Sequence, residues 1–272
     1  MNISNRDYNI LTDQETQEWI RIKKMESSEN FSNILSHTTS KSILEYPKVF
    51  RHHFFSLFPN NYLDVGELQE KNKIESLINQ FSLLINKEST KEREIINFIN
   101  NEQAHFIIGS ILKKGGYDFG HHGAYIFPEF ELGNSYRVDF LIIGKNSGGY
   151  EFIFVELENV NGRITNRNGE FGEVIRKGET QINNWREWIE GNYSALSESF
   201  EKLKNPDREL SKEFYKLDTF RIHFSIIAGK RKDFNDKTNK LRRKYRRESS
   251  INLFHYNNLE DFSKYLIGTN TY

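Results

Sequence analysis

Two apolar segments joined by a glycine-rich loop restrict the possible folds of this chain most strongly. Tyr136–Ile143 is strongly apolar, and Tyr150–Glu158 alternates between apolar and polar residues, with three glycines in the loop Gly144–Gly149 between them. Strand-like segments connected by such a loop predict a β-hairpin. Because the side chains of a strand alternate between its two faces, a hairpin determines which residues of the two strands lie together.

From Ser89 onward, helical and strand-like patterns alternate. Ser89 and Glu92 form a capping-box sequence, which predicts a helix that ends at Lys114 before two glycines. The other expected elements are a strand 123–132 interrupted at Pro128, a helix 171–189, a loop and helical segment to 217, a strand 220–228, a helix 233–248, a strand 251–256 and a helix 259–266. This order predicts an α/β fold with a mixed β-sheet flanked by helices.

The part before Ser89 follows a different pattern, in which short apolar clusters alternate with stretches rich in Asn and Ser. It predicts an N-terminal accessory or regulatory region at residues 1–88, made of short strands and helices. Residues 89–272 form the second predicted unit.

Composition excludes several classes of protein. The chain has 272 residues, of which 14% are aromatic, so it can bury a substantial core. It has no cysteine, which excludes disulfides, thiolate metal sites and a cysteine nucleophile. No apolar run approaches the roughly 18 residues that a membrane span needs, and the polar N-terminus does not resemble a signal peptide. We therefore expect a cytoplasmic protein without a membrane segment.

Three acidic residues of the hairpin are the strongest candidates for chemistry. By period-two alternation, Glu156 and Glu158 share a strand face with two phenylalanines, and Asp139 lies on the neighbouring strand together with apolar residues. A buried carboxylate is costly unless it is paired or binds a metal ion, and oxygen ligands suit Mg²⁺ or Mn²⁺. The alternative is that these acids mark strand ends that face water, and spacing alone leaves both interpretations open.

Two helices carry further candidates. Glu102 falls within the apolar stripe of the first predicted helix, although a surface position or a structural ion pair is the more common explanation of a lone glutamate. On the helix 171–189, four residues follow one another at helical spacing beside the core stripe, namely Lys177, Gln181, Asn184 and Trp188. This flank can face the strand that carries Glu156 and Glu158, or it can be an ordinary polar helix surface.

These residues, taken in order, resemble the PD-(D/E)XK nuclease superfamily. In detail, Tyr136–Leu141, Phe154–Glu158 and Gln181–Ile189 are similar to segments of Shedu-type anti-phage nucleases. The later segments Ile222–Gly229 and His255–Leu259 are similar to the end of the same domain. The resemblance covers about residues 89–268 and leaves the N-terminal third unmatched.

The resemblance implies a restriction-endonuclease-like fold and a metal-dependent DNA endonuclease. Asp139 and Glu156 would bind Mg²⁺ or Mn²⁺ together with the Leu157 carbonyl, Glu102 would be the acidic residue of the preceding helix, and Gln181 would support the site. The expected partner is DNA, with double-stranded phage or plasmid DNA as the substrate, and the expected assembly is a homo-oligomer.

One position departs from the superfamily pattern. Many members have a lysine where this chain has Glu158, and that lysine helps to activate the attacking water. Glu158 can add a metal ligand or act as a base, but it supplies no positive charge. Lys177, one helical turn before Gln181, is a candidate substitute. The alternative is a catalytically inactive module that has the nuclease fold and binds nucleic acid or a partner protein.

The net charge of the chain is zero, but residues 230–247 contain ten basic residues against two acidic ones. An apolar stripe of Phe234, Thr238, Leu241 and Tyr245 is expected to dock this helix on the sheet. A charge run is usually only a solvated surface, whereas on a nuclease-like core it is expected to contact phosphates. The candidate nucleic-acid-binding residues are Lys230, Arg231, Lys240, Arg242, Arg243 and Arg246.

Overall fold

A computed structural model describes residues 2–32 and 42–272 of the chain. The helices are α1 (Asp13–Ser32), α2 (Lys48–Phe55), α3 (Lys71–Asn86), α4 (Glu92–Asn101), α5 (Phe106–Lys114), α6 (Glu173–Leu203), α7 (Asp236–Ser249) and α8 (Tyr256–Lys264). The strands are β1 (Ala124–Leu132), β2 (Tyr136–Asn146), β3 (Gly149–Leu157), β4 (Ile222–Ile227) and β5 (Ile251–Phe254). The prediction of a mixed sheet flanked by helices is therefore confirmed.

The five strands form one sheet in the order β1-β2-β3-β4-β5. The strands β1, β2 and β3 are antiparallel neighbours, whereas β3, β4 and β5 run parallel. The predicted hairpin is β2–β3, but pairing continues to Asn146 and Gly149, so that only Ser147 and Gly148 remain in the turn. The helices α6 and α7 provide the crossovers that parallel strands require.

Apolar clusters cover both faces of the sheet. On one face, alternate residues such as Ile142 and Ile153 pack with α3, α4, α5 and α8. On the other face, residues such as Leu141 and Phe154 pack with α6 and with Tyr245 of α7. Because parallel strands are buried on both faces, polar residues at their ends, such as Glu158 after β3 and His255 after β5, are buried as well.

The single helix predicted from Ser89 to Lys114 is wrong. The structure has two helices, α4 and α5, because Gln103 adopts a left-handed conformation with φ 53° after α4 ends. The Ala104 N–H donates to the Ile99 carbonyl across this break. The apolar stripe that seemed to run through Glu102 to Phe106 is therefore not the stripe of one helix.

The ends of three other helices also differ from the predicted ones. Helix α6 continues to Leu203, with a non-helical residue at Asn192, where we expected an end at Ile189 and a loop. Helix α7 begins at Asp236 because the Asn235 side chain caps it by accepting from the Thr238 N–H at 3.0 Å. Helix α8 begins three residues earlier than expected, at Tyr256, directly after β5.

Strand β1 continues through Pro128 but changes its buried face at Glu129. Tyr125 and Phe127 before this residue and Phe130 after it belong to the same apolar cluster, although strict alternation would separate them. Glu129 has a φ of 48°, which is unfavourable for a residue with a Cβ atom and makes the change of face possible. Glu129 lies level with Asp139 of β2, because the pairs on either side of them are in register.

The described residues before Ser89 form α-helices and 3-10 helices. Tyr62 forms an isolated β-bridge with Tyr125 of β1. Helix α3 contributes five buried residues to the same apolar cluster as α5 and the sheet. The division at residue 88 stays a prediction. Within the described part of the chain, no helix is long and apolar enough to span a membrane.

Candidate active site

The site lies where β2 and β3 run beside each other near the end of β3. The antiparallel register of the hairpin, continued by one residue beyond Phe140 and Val155, places Asp139 opposite Glu156. The Leu157 N–H donates a hydrogen bond of 2.7 Å to Asp139 Oδ2. Asp139 also lies where the alternation of β2 changes, since Val138 and Leu141 pack in the same cluster.

Helix α6 covers the two glutamates at the end of β3. Glu156 and Glu158 are 3% and 2% exposed, so both are buried. Gln181 Nε2 donates to Glu156 Oε1, and the Lys177 ammonium lies 3.1 Å from Glu158 Oε2. The flank of α6 that the sequence singled out therefore faces the acidic strand. This placement of Lys177 is the predicted one, and its chemical role stays a prediction.

The same flank of α6 extends to the turn between β1 and β2. Trp188 packs against Gly133 in the turn between β1 and β2, where an added Cβ atom would lie 3.0 Å from the indole ring. One stripe of α6 thus connects the acidic cluster with the β1–β2 turn, over about 16 Å of helix between Lys177 and Trp188.

The acidic residue that α4 brings to the cluster is Glu92, and not Glu102. Glu92 Oε2 lies 4.0 Å from the Lys177 ammonium, and its charge acts on both Asp139 and Glu156. Glu102 is exposed at the other end of α4, about 15 Å of helix away. The prediction for Glu102 failed because it rested on the apolar stripe of a single long helix.

The sequence contained a signal for Glu92, but we assigned it to another role. Glu92 was interpreted as the capping residue for Ser89, whereas in the structure Glu94 caps the helix by accepting from the Lys91 N–H at 2.8 Å. Glu92 is therefore the first residue of α4 and is free to face the cluster. The start of α4 at Glu92 and its packing beside α6 together bring a fourth carboxylate to the site.

Two arginines border the cluster on the side of β1. Arg93 Nη1 lies 2.7 Å from Glu129 Oε1, and Arg137 Nη1 lies 3.7 Å from the same oxygen. Both guanidinium groups are more than half exposed, while Glu129 is largely covered. The sequence analysis missed this group, because the change of face at Glu129 is not encoded in the alternation of β1.

The carboxylates of the site have raised pKa values when no cation is bound. Burial raises the pKa of Asp139, although the Leu157 hydrogen bond opposes this, and the charges of Glu92 and Glu158 raise it further. Burial also raises the pKa of Glu156 strongly, with Asp139 as the largest contributing charge. The pKa of Glu158 is raised by burial, against the opposing hydrogen bond from Lys177.

Several of these observations fit a divalent cation. Glu158 Oε1 is buried and has no hydrogen-bond partner in the described structure, and close carboxylates with raised pKa values lower their free energy when a cation binds. The donors are oxygen atoms, which Mg²⁺ and Mn²⁺ prefer. Within the described residues, no three acidic or histidine side chains already converge as ligands. Asp139 and Glu156 would therefore hold the ion together with main-chain and water oxygens.

The comparison with protein families identifies the chain. The family model of the C-terminal part of the Shedu protein SduA matches residues 89–259, which is more than half of the sequence. The chain belongs to the Shedu SduA family. None of the curated proteins matches it. The Shedu segment includes the hairpin, α6 and the beginning of α8, and therefore every carboxylate of the cluster as well as Lys177 and Gln181. Family membership suggests a role in anti-phage defence.

The basic helix of this Shedu segment docks as the sequence predicted. Thr238 and Tyr245 of α7 are buried, and Phe234 and Leu241 are partly buried. Six of its cationic residues are exposed, namely Lys237, Lys240, Arg243, Lys244, Arg246 and Arg247. Arg242 is only half-exposed and Lys230 is buried, so these two candidates are not part of the open cationic surface.

We expect the metal-free protein to lose stability as the pH rises. Because the folded state raises the pKa of Asp139, Glu156 and Glu158, it keeps protons that the unfolded chain releases near about pH 4. The free energy of unfolding should therefore fall between about pH 5 and about pH 9, and Mn²⁺ should restore it at the alkaline end. Thermal unfolding in EDTA and in Mn²⁺ over this range measures both effects.

A matched pair of variants tests the origin of this pH dependence. Asp139→Asn should flatten the decline in EDTA, because it removes one of the groups that must lose a proton. Asp207→Asn, at an exposed position, should follow the wild type. A metal-free protein whose stability increases steadily across this pH range would contradict the raised pKa values.

Proposed function

We propose that the protein is a divalent-metal-dependent DNA endonuclease that acts in anti-phage defence. The observation that carries the proposal is the acidic cluster of the half-buried Asp139 and the buried Glu156 and Glu158, in which the two glutamates contact Gln181 and Lys177 of α6. Membership of the Shedu SduA family supports it, because the matched segment contains all five residues. The proposal includes a restriction-endonuclease-like assignment of the mixed sheet.

In this proposal, Asp139 and Glu156 would hold Mg²⁺ or Mn²⁺ with the Leu157 carbonyl, and Glu92 would add negative charge at the edge of the site. A bound ion lowers the pKa of a coordinated water and neutralises charge on the scissile phosphate. Gln181 keeps the Glu156 carboxylate oriented through its hydrogen bond. Gln181 is therefore a positioning residue, which orients the metal ligand Glu156 and does not contact the substrate.

In this proposal, Lys177 helps to activate the attacking water, which is the role of a strand lysine in many superfamily members. Its ammonium group lies against Glu158 and within 4.0 Å of Glu92, yet 57% of its side chain is exposed. It can therefore contact both the acidic cluster and an approaching phosphate or water. Glu158, held by this ion pair, accepts the proton of the attacking water.

The substrate in this proposal is double-stranded phage or plasmid DNA, cut by a homo-oligomer in the cytoplasm. The exposed cations of α7 contact phosphates and supply affinity that does not depend on sequence. They lie on the crossover between β4 and β5, whereas the acidic cluster lies at the end of β3. Binding and chemistry are thus assigned to separate groups of residues.

Cleavage of DNA in the presence and absence of metal tests the proposal. The purified protein is incubated with linear and with circular DNA in Mg²⁺, in Mn²⁺ and in EDTA, and the products are separated on gels. We expect nicked or linearised circles with either metal and intact DNA in EDTA. Intact DNA under every metal condition would refute the endonuclease assignment for the protein as tested.

The α7 surface predicts a change in the salt dependence of DNA binding. Replacing Lys240, Arg243 and Arg246 with Ala should weaken binding and reduce the slope of log K against log salt by up to about three, since each lost phosphate contact removes about one. These side chains are exposed, so folding should be unaffected. Fluorescence anisotropy at several salt concentrations measures the slope.

The control for this prediction removes the same number of charges elsewhere. Arg21 and Lys24 on α1 and Lys202 on α6 are exposed as well, and replacing these three with Ala should leave the slope close to that of the wild type. Equal slopes for the α7 variant and the wild type would show that the basic helix is only a solvated surface.

A second function remains open for the same fold, namely an inactive module that binds nucleic acid or a partner protein. The observation that favours it is Glu158 at the position where many superfamily members have a lysine. A protein that binds DNA in EDTA and in Mg²⁺ but cleaves in neither would be this binding module.

A further inference from the structure

Glu129 of β1 brings together two arginines that belong to different elements. The Nη1 atom of Arg93, on α4, lies 2.7 Å from Glu129 Oε1, and the Nη1 atom of Arg137, on β2, lies 3.7 Å from the same oxygen. The Glu129 side chain is only 15% exposed, whereas those of Arg93 and Arg137 are 60% and 55% exposed. A covered carboxylate therefore holds two exposed guanidinium groups side by side.

This group of three residues lies at the edge of the acidic cluster. The residues on either side of Glu129 pair in register with those on either side of Asp139, so the two acids lie opposite each other on neighbouring strands. Arg93 directly follows Glu92, whose carboxylate lies 4.0 Å from the Lys177 ammonium. The hydrogen bond to Glu129 raises the pKa of Arg93, and the charges of Asp139 and Glu92 contribute. Strand register and helix α4 thus place the arginines beside the site independently of each other.

Most hydrogen-bond donors of the two guanidinium groups are unused. Within the described residues, Arg93 donates one hydrogen bond, to Glu129, and Arg137 donates one of 3.3 Å, to Glu131. An arginine has five N–H donors in a planar fork that matches the oxygens of a phosphate. The remaining donors are therefore available to an anion that approaches from solvent.

An open cleft of about 450 Å³ lies beside Arg137. Residues of the β1–β2 turn line it together with this arginine, namely Glu131, Gly133, Asn134, Ser135 and Tyr136. The Asn134 amide and the Ser135 hydroxyl are further donors of the kind that contact DNA phosphates. Arg137 thus borders a polar concave surface and not a flat one.

The backbone at Glu129 supports a functional role for its side chain. Its φ of 48° is unfavourable for any residue with a Cβ atom, whereas glycine adopts this conformation without strain. Strained backbone conformations persist where the surroundings enforce them, and they cluster at active sites and ligand-binding sites. A glutamate at this position is explained if its carboxylate is needed to hold the arginines.

We propose that Arg93 and Arg137 together bind a phosphate group of the DNA backbone at the edge of the acidic cluster, and that Glu129 is the positioning residue that holds them. The inference rests on the proposed function, because it assigns this phosphate to the same DNA substrate. Two neighbouring guanidinium groups repel each other, and phosphate oxygens that accept hydrogen bonds from both relieve this repulsion. The acidic cluster itself repels a polyanion, so the two arginines provide the attraction that brings the backbone to this edge.

The first test measures DNA binding in EDTA, where no cleavage is needed. Arg93→Ala and Arg137→Ala should each weaken binding of a fluorescein-labelled DNA duplex about tenfold, the scale of hydrogen bonds to a charged group. The double variant should reduce the slope of log K against log salt by about one, since one phosphate contact is lost. Arg21→Ala removes an exposed arginine of α1 and should change affinity by less than about twofold.

The two carboxylates near the arginines give effects of opposite sign. Glu131 is 66% exposed and competes with the phosphate for Arg137, so Glu131→Gln should strengthen binding about twofold or more. Glu129→Gly should weaken binding about threefold or more although it also removes a negative charge, because the arginines lose the carboxylate that holds them. This variant should fold, since glycine tolerates the backbone conformation.

A second background separates positioning from a general effect on folding. In the Arg93→Ala/Arg137→Ala double variant, Glu129→Gly should no longer weaken binding, because the residues through which Glu129 acts are absent. Tighter binding by Glu129→Gly in the wild-type background would overturn the positioning role. Normal affinity of both arginine variants, with a lowered melting temperature, would show that the ion pairs are purely structural.

The two proposals fail separately. If the wild type cleaves DNA but the arginine variants bind it normally, the phosphate site is refuted and the nuclease stands. If the wild type cleaves nothing and the arginine variants still lose affinity, the phosphate site stands and the protein is a binding module.

Discussion

Asp139→Asn is expected to reduce Mg²⁺-dependent DNA cleavage by at least about a thousandfold, because several kcal/mol of transition-state stabilisation depend on the bound ion. The amide has the size of the carboxylate and can still accept the hydrogen bond from the Leu157 N–H. It lacks the negative charge that a divalent cation requires. Single-turnover cleavage of labelled DNA measures the rate, and anisotropy in EDTA measures binding.

Binding should survive this substitution, since removing an acid reduces repulsion of the DNA. Asp207→Asn, the exposed control, should cleave at the wild-type rate. If Asp139→Asn cleaves as fast as the wild type, the metal lies elsewhere and the cluster of β2 and β3 is structural.

Lys177→Ala is expected to lower the cleavage rate by roughly two orders of magnitude or more, the usual scale of a positioned acid-base group. The ammonium lies 3.1 Å from Glu158 Oε2, so its loss leaves a buried carboxylate without its cation. The pKa of Glu158 should then rise further, because its hydrogen bond from Lys177 opposes burial. The pH at which cleavage reaches half its maximum should therefore move upward in the variant.

Two companion variants separate the roles of the pair. Lys177→Arg keeps the charge and should recover part of the rate, while Glu158→Gln should lose activity without this shift in pH dependence. DNA affinity should stay near the wild-type value in all three variants, because the exposed cations of α7 are unchanged. Unaltered rates for Lys177→Ala would leave Glu158 or no residue as the base.

Local periodicity predicted the part of the site that belongs to single elements. The period of two in β3 places Glu156 and Glu158 on the face towards α6, and the helical period places Lys177 and Gln181 on the flank that meets them. The glycines of the hairpin indicated which strands would pair. Strand alternation, helical spacing and turn glycines depend only on residues that are close in the sequence, so the sequence alone is sufficient to predict them.

Element boundaries decided what the sequence analysis missed. Whether Glu92 or Glu102 faces the cluster depends on where α4 begins and ends. The left-handed conformation of Gln103 separates α4 from α5. In the structure the Glu94 side chain accepts from the Lys91 N–H, so the helix begins two residues after the start that Ser89 and Glu92 predict. The change of face at Glu129 is likewise a local conformation that only its neighbours in β1 and β2 stabilise.

The sequence by itself thus determined the strand pair, the acidic residues on it, the helix flank that covers them and the family of the chain. Only the tertiary structure decided that Glu158, Gly229 and Tyr256 meet at one edge of the sheet, although about 100 residues separate the first from the last. The physical reason is that a parallel sheet brings together the ends of strands that are distant in the chain, through crossovers whose packing no short-range pattern specifies. The hydrogen bonds that Tyr256 donates to the Gly229 and Glu158 carbonyls form only after that assembly.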